Sequence, residues 1–442
     1  MLDTPSAARA PRRAETAWCL YDWANSAFAT TVMAALFPPF YRGLCLEAGL
    51  PGATATAYWG YTTAGALLVA ALLGPLLGAV ADHTGGKKLW TAGFAALGVA
   101  ATAAFTFIGP ADWQLATLLY VLANVGFSGS IVFYEALLPV VAPAGGMDRV
   151  SSRGYALGYV GGGLLLALNA VMVMKPGWFG LAGTGAAVRA SFVTVSVWWA
   201  LFTLPLLSGV SEPPPARAPG EPAGAWRAGV ARLGATAREV RRYRHLLLFL
   251  LAFWIYNDGI GTVIKMATAY GDELGIGVGA MTGALLVTQF VGVPFTLLFG
   301  RMAQRLGAKG AVLIALGVYV LIAGGGFFLR TAGHFYALAF LVGTVQGGSQ
   351  ALSRSLFGRL IPRHRAGEFF GFFSTSAKFA GIAGPLLFGA VSQTAGGSRL
   401  GIVSLIVFFG AGALLLARVD VAAGEAAARQ AEREAGRDMA RP

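Results

Sequence analysis

The sequence predicts an all-α polytopic membrane protein, with twelve transmembrane helices arranged as two pseudo-symmetric six-helix bundles. Three observations predict it. Charged residues make up only 12% of the 442 residues and hydrophobic ones 56%, whereas soluble domains carry roughly 25% charge. A surface so poor in charge does not stay dispersed in water, which excludes a soluble enzyme, a nucleic-acid-binding module and a disordered scaffold. Twelve apolar runs reach the ~20 residues that cross a bilayer as helix, and one long polar linker, Ser208–His245, divides them six and six.

Residues 1–16 form a polar, basic N-terminus. Span one, Ala17–Tyr41, has full spanning length and no small-residue cleavage site, so it is expected to be a retained helix, not a signal peptide. Tyr58–Ala81, Leu89–Ile108, Leu115–Val141, Tyr155–Met174 and Ala190–Leu207 are spans two to six and complete an N-terminal bundle over 17–207. The linker, 208–245, opens with the Pro-rich stretch SEPPPARAPGEPAG, which favours extended or disordered chain. Its second part sets Trp226, Val230, Leu233, Ala237 and Val240 on one helical face and arginines on the other. A basic helix lying on the inner membrane surface and a solvated linker helix both fit that pattern. Leu246–Tyr270, Gly277–Gly300, Ala311–Leu329, Phe335–Leu356, Phe369–Val391 and Leu400–Ala417 are spans seven to twelve, a C-terminal bundle over 246–418, and residues 419–442 form a charged tail.

Charge placement orients the chain. With the N-terminus inside, the cytoplasmic segments hold 25 of the 33 Lys and Arg residues and the opposite side holds five, Arg42, Lys175, Arg189, Arg330 and Arg399. That bias places both termini in the cytoplasm, so the +13 net charge belongs to membrane topology and implies no nucleic-acid partner. The two cysteines, Cys19 and Cys45, form no CxxC pair, and the four histidines show no ligand spacing, so no metal or cofactor is expected.

The halves echo one another. Gly78-Ala-Val-Ala-Asp82-His-Thr-Gly85-Gly86-Lys87-Lys88 follows span two, and Gly300-Arg-Met-Ala-Gln304-Arg-Leu-Gly307-Ala-Lys309 follows span eight at an offset of 222. Glu135 near the end of span four and Arg354 near the end of span ten are related by an offset of 219. Six-plus-six duplication is the architecture of a rocking transporter with its substrate site between the halves.

The Gly78–Lys88 segment resembles the loop motif of the major facilitator superfamily, G-x-x-x-D-[RK]-x-G-[RK]-[RK], with His83 in place of a basic residue and Gly86 interrupting the basic pair. The opening of span one, Trp18-Cys-Leu-Tyr21-Asp22-Trp23-Ala24-Asn25-Ser26-Ala27-Phe28 running into Phe37-Pro38-Pro39, together with Tyr256-Asn257-Asp258-Gly259 in span seven, resembles the vacuole-effluxer-like branch of that superfamily. The branch groups fungal autophagy-related vacuolar amino-acid exporters with bacterial facilitators. The resemblance implies the major facilitator fold and secondary transport of small polar metabolites, with amino-acid efflux foremost. In the second loop Gln304 replaces the acidic residue, which implies a different gate there.

Six charged residues fall within apolar runs: Asp22, Glu135, Asp258, Lys265, Arg354 and Lys378. A charge at the bilayer centre costs about 2.5–3.5 kcal/mol on insertion scales, so each needs a partner or a watery cavity. Asp258 and Lys378 lie near mid-membrane. Asp258 is expected to be an unpaired carboxylate that binds a proton, a cation or a substrate amine, or else to pair with Lys265 on the same helix face; Lys378 is expected to face a substrate carboxylate or to neutralise Asp258 across the cavity. Tyr21, Asp22 and Asn25 share a face and suit a hydrogen-bonding cavity wall, though Asp22 is also near enough to the inner surface to cap or pair there. Asn257 joins this substrate and ion pathway, and Gln289 is a weaker candidate, since buried amides often only tie helices together.

Gly78, Asp82, Gly85, Lys87 and Lys88 are expected to gate the cytoplasmic side, with Asp82 accepting backbone N–H groups at the start of span eleven near Phe369. Glu135 and Arg354 are expected to pair across the halves, the alternative being Glu135 with Arg149 or Arg153. No P-loop appears, so the expected function is a secondary transporter in the cell membrane, a monomer, with a small-molecule substrate, the lipid bilayer, and protons or another coupling cation as partners. A uniporter or importer of a sugar, peptide or drug-like compound, a membrane-embedded enzyme and a non-transporting sensor are the alternatives.

Overall fold

The computed structural model describes residues 6–143, 145–212, 243–276, 278–381, 383–384, 387–388, 390–391 and 398–439. The predicted linker helix lies outside them, as do the side chains of Lys265 and Lys378. The described residues are helical, with no strand among them. Among them seven helices are long and apolar enough to cross a membrane, and the helix order is consistent with the twelve-span layout. Leu72, Val197, Leu201, Leu321, Val407 and Leu414 are more than half exposed, as lipid-facing side chains would be.

Span one departs from the plain helix expected. It runs as Ser6–Ala27, then a π-helical stretch, Phe28–Leu36, then Phe37–Glu47. Pro38 and Pro39 carry no N–H to return to the carbonyls one turn back, and this loosens the register before them. The Thr30 hydroxyl, within the loosened stretch, donates to the Ser26 carbonyl at 3.0 Å and to the Gly162 carbonyl of span five at 3.2 Å.

The turns after spans two and eight are built alike. Span two, within Gly52–Thr84, ends on Gly85 and Gly86, both in the left-handed region at φ 74° and 73°. The single helical stretch Val278–Gly326 holds spans eight and nine and breaks at Gly307, also φ 74°. A side chain at those angles costs roughly 1–2 kcal/mol, which is why glycine recurs at the offset of 222. Just beyond, Lys88 Nζ donates to the Leu207 and Val210 carbonyls at the end of span six (3.3 and 2.9 Å). Lys309 Nζ does the same for Ala417 and Val419 at the end of span twelve (2.8 and 2.8 Å). Lys88, which the motif places in the gate, caps the end of a helix within its own half.

Each half has its own hydrophobic core. One is drawn from Ala17 to Val210, the other from Leu246 to Val419 with Ala136 the one addition from the first half. Between them, span two packs on span eleven, and span five (Met147–Met174) packs on spans eight and ten. The tail forms a further helix, Val421–Met439.

Candidate functional site

The cross-half polar contacts among the described residues gather at the end of the molecule where spans two and eight turn at Gly85 and Gly307. Their centre is Arg354 of span ten (Ala332–Leu360), 2% exposed. Its Nη2 donates to Asp22 Oδ2 of span one at 3.1 Å and to the Ser151 carbonyl of span five at 3.0 Å, and its Nε donates to Ser151 Oγ at 2.9 Å. Ser151 in turn donates to the Ala351 carbonyl at 2.7 Å. Three rings close around the guanidinium, Tyr155 at 4.3 Å, Trp18 at 4.8 Å and Tyr134 at 5.6 Å from ring centroid to Cζ. Trp18 is fixed by stacking on Tyr134 at 4.4 Å and by donating to the Tyr134 carbonyl. Gly154 leaves the space for this pair, because a Cβ there would stand 2.6 Å from Asp22 Oδ2. A buried cation is tolerated only when paired and hydrogen-bonded, and every partner of Arg354 named here lies in the other half except the Ala351 carbonyl behind Ser151.

A second contact joins spans two and eleven. Asp82 Oδ1 and Oδ2 accept the backbone N–H groups of Gly367 (3.1 Å) and Glu368 (2.7 Å), in the first turn of Ala366–Ala380. The exposed N–H groups and positive dipole end of a helix favour a carboxylate there. Lys87 Nζ, 2.7 Å from Asp82 Oδ1, adds a positive charge from the same loop. Gly78 and Gly367 let the two backbones meet: a Cβ on Gly78 would lie 2.2 Å from the Gly367 carbonyl oxygen. Glu368 is fully buried and held by Arg365 at 3.1 Å.

The third contact stands where the second half lacks an acidic loop residue. Asp148, in the first turn of span five, accepts from Ser355 Oγ at 2.6 Å and pairs with Arg359, both on the last turns of span ten. Gly300 packs directly on Ser152 beside it, its would-be Cβ 2.8 Å from the Ser152 side chain. With Gln304 unable to reproduce the Asp82 charge, span five supplies its own acid.

Arg354 takes Asp22 as an ion-pair partner across the halves where the offset pointed to Glu135, which is itself 8% exposed. Nor do the arginines of the alternative serve Glu135: Arg149 pairs with Glu15 at 3.0 Å and Arg153 donates to Thr16 Oγ1 at 3.2 Å. Asp258 is buried but not unpaired. Its Oδ2 accepts the Gly384 N–H at 2.7 Å, beyond the end of the Ala366–Ala380 helix, and Thr262 Oγ1 lies 3.5 Å from Oδ1. Asp258 thus satisfies backbone freed where span eleven breaks, a correction to the free-carboxylate expectation. Asn25 donates to the Tyr21 carbonyl of its own helix, and the Tyr21 hydroxyl accepts from Trp199 Nε1 at 3.4 Å. Asn257 is half-buried, next to Tyr256, whose hydroxyl is 2.6 Å from Ser353 Oγ. Gln289 faces Gly163 across the halves at mid-span, its Cβ 3.5 Å from the glycine's would-be Cβ.

Asp148, Ser151, Tyr155 and Arg359 are the contact residues that sequence reasoning missed. One signal was available: Asp148 and Glu368 are acids at an offset of 220, each in the first turn of its span. Trp18 and Tyr134 stood inside motifs, but their stacking around a cation needs the fold.

The vacuole effluxer Atg22-like family model matches residues 10–147 and 144–429. An MFS-type transporter, YxiO of Bacillus subtilis, is 41% identical over 92% of this chain and 94% of its own length. Autophagy-related protein 22 of Coccidioides immitis is 23% identical over 81% of this chain and 72% of its own. Among solved structures, the proton:xylose symporter XylE superposes at TM-score 0.70 with 12% identity, covering 93% of this chain and 96% of that one. The human organic anion transporter MFSD10 superposes at 0.64 with 16% identity, covering 94% and 100%. Those two show the fold alone. With the family model spanning nearly the whole chain, and a major facilitator relative 41% identical, this chain belongs to the vacuole effluxer Atg22-like family of major facilitator transporters.

Proposed function

We propose that the protein is a secondary transporter of small polar metabolites, amino-acid efflux being the activity its resemblance implies, working as a monomer in the cell membrane by alternating access. In this reading both termini are cytoplasmic, residues 17–207 and 246–418 are the two moving bundles, and the conformation described is outward-facing, closed on the cytoplasmic side. The observation that carries the reading is the Arg354–Asp22 pair, a buried salt bridge at 3.1 Å whose two charges belong to different halves. Rocking the halves apart separates them, so the pair favours the closed cytoplasmic side by the difference in its energy between states. Protonation of Asp22 removes that attraction, which makes Asp22 the coupling residue in place of Asp258.

Membrane vesicles with and without an imposed proton gradient test this directly, using a panel of amino acids, sugars and peptides. The expected result is gradient-dependent accumulation of one or more amino acids that Asp22→Asn abolishes. Movement of a sugar or peptide alone would replace the substrate class, and amino-acid accumulation indifferent to the gradient would remove the coupling.

A further inference from the structure

The tail helix Val421–Met439 is docked beside a cross-half contact. Asp420 caps its start, Oδ1 accepting the Ala423 N–H at 3.0 Å, while the Asp420 N–H donates to His245 Nδ1 at 3.1 Å. Gly424 crosses span ten so closely that a Cβ would lie 2.4 Å from Leu360 Cδ2. Ala428 is buried, and Glu432 Oε1 accepts the Arg363 N–H at 2.8 Å. These contacts bring Glu425 to Arg359: Glu425 Oε1 lies 3.8 Å from Arg359 Nη1, while Arg359 Nη2 is on Asp148 of the first half. The guanidinium is thus shared between an acid of the tail and an acid of the opposite bundle. Its side chain is 23% exposed, so without a second anchor it has room to leave Asp148 for water.

We infer that Glu425 is a positioning residue for the cytoplasmic gate: the tail helix holds Arg359 in the rotamer that reaches Asp148 and thereby favours the closed cytoplasmic side. The fork geometry of arginine suits it to this, because one edge binds each carboxylate and fixing one orients the other. The closed state gains from the tail although, among the described residues, the tail's bonds run only to its own half. The inference rests on the alternating-access reading.

Ser152→Cys, at a position covered by Gly300 in the closed state, reports opening by its labelling rate with a water-soluble maleimide, in the 442-residue chain carrying Cys19→Ala and Cys45→Ala. Glu425→Gln keeps shape and removes charge. It is expected to raise the labelling rate about three-fold, the population change a partly exposed ion pair supplies, while leaving the thermal unfolding midpoint unchanged. In an Asp148→Asn background the same substitution is expected to add nothing, since its effect runs through Arg359. An unchanged rate in the single variant, or full additivity in the double, overturns the inference. Gly78→Val, which blocks closure elsewhere, separates the two levels: if it raises labelling and Glu425→Gln does not, the tail's role alone fails. If Gly78→Val also leaves labelling unchanged, the alternating-access reading fails and takes the inference with it.

Discussion

Arg354 and Asp22 are the residues whose removal should be most asymmetric. Asp22→Asn leaves a guanidinium buried without its counter-charge, and breaking one side of a buried pair costs about 3–5 kcal/mol. Replacing both, as Asp22→Leu with Arg354→Met, removes the uncompensated charge. Thermal unfolding in detergent should therefore rank the single variant below the double, with gradient-driven accumulation absent from both. Asp258 behaves differently, since its carboxylate holds the Gly384 N–H. Asp258→Asn keeps an acceptor oxygen and should retain accumulation, whereas Asp258→Ala strands a buried N–H and should lower stability by about 1–3 kcal/mol. Transport and unfolding assays on the two variants check this; accumulation lost in Asp258→Asn would return the coupling role to Asp258. At this scale the sequence disclosed that Asp22, Arg354 and Asp258 need partners, because charge in an apolar run is visible in one dimension. It did not disclose who the partners are. Arg354 meets Asp22 across a separation of 332 residues, and no spacing rule encodes that.

At the scale of elements, the contact of spans two and eleven is made by backbones, which is why it tolerates no side chain. Gly78→Val should drive a Cβ and two methyl groups into the Gly367 carbonyl and hold this end of the molecule open, while each half keeps its own core. Asp82→Asn should act in the same direction but more weakly, because the amide oxygen still accepts one N–H while the charge that Lys87 and the helix dipole favour is gone. Cysteine accessibility at both ends of the molecule measures each shift; equal accessibility of Gly78→Val and wild type would refute the backbone contact as a gate. The Gly85 and Gly307 turns were legible because a left-handed residue leaves glycine in the sequence. The π-helical stretch was not, since Phe28–Leu36 has the apolar composition of ordinary membrane helix and only Pro38 and Pro39 hint at a disturbed register.

At the scale of the whole molecule, two cores with a polar seam between them make the halves separate bodies, and the seam is closed at one end by Asp82, Asp148 and Arg354. The six-plus-six plan was readable from apolar length and the repeated loop, since membrane helices must satisfy their backbones internally and so announce themselves by length. Which state the halves occupy was not readable, because the same contacts made or broken leave the sequence unchanged. Distances between spin labels decide whether the halves alternate. Labels at Leu89 and Leu306, beside the Gly85 and Gly307 turns, report the end that the seam closes, and labels at Phe107 and Phe328 report the opposite end, all four being more than half exposed. Substituting Arg354→Ala should lengthen the Leu89–Leu306 distance and shorten the Phe107–Phe328 distance, the reciprocal change that alternating access requires. Two unchanged distances, or two that lengthen together, would contradict it.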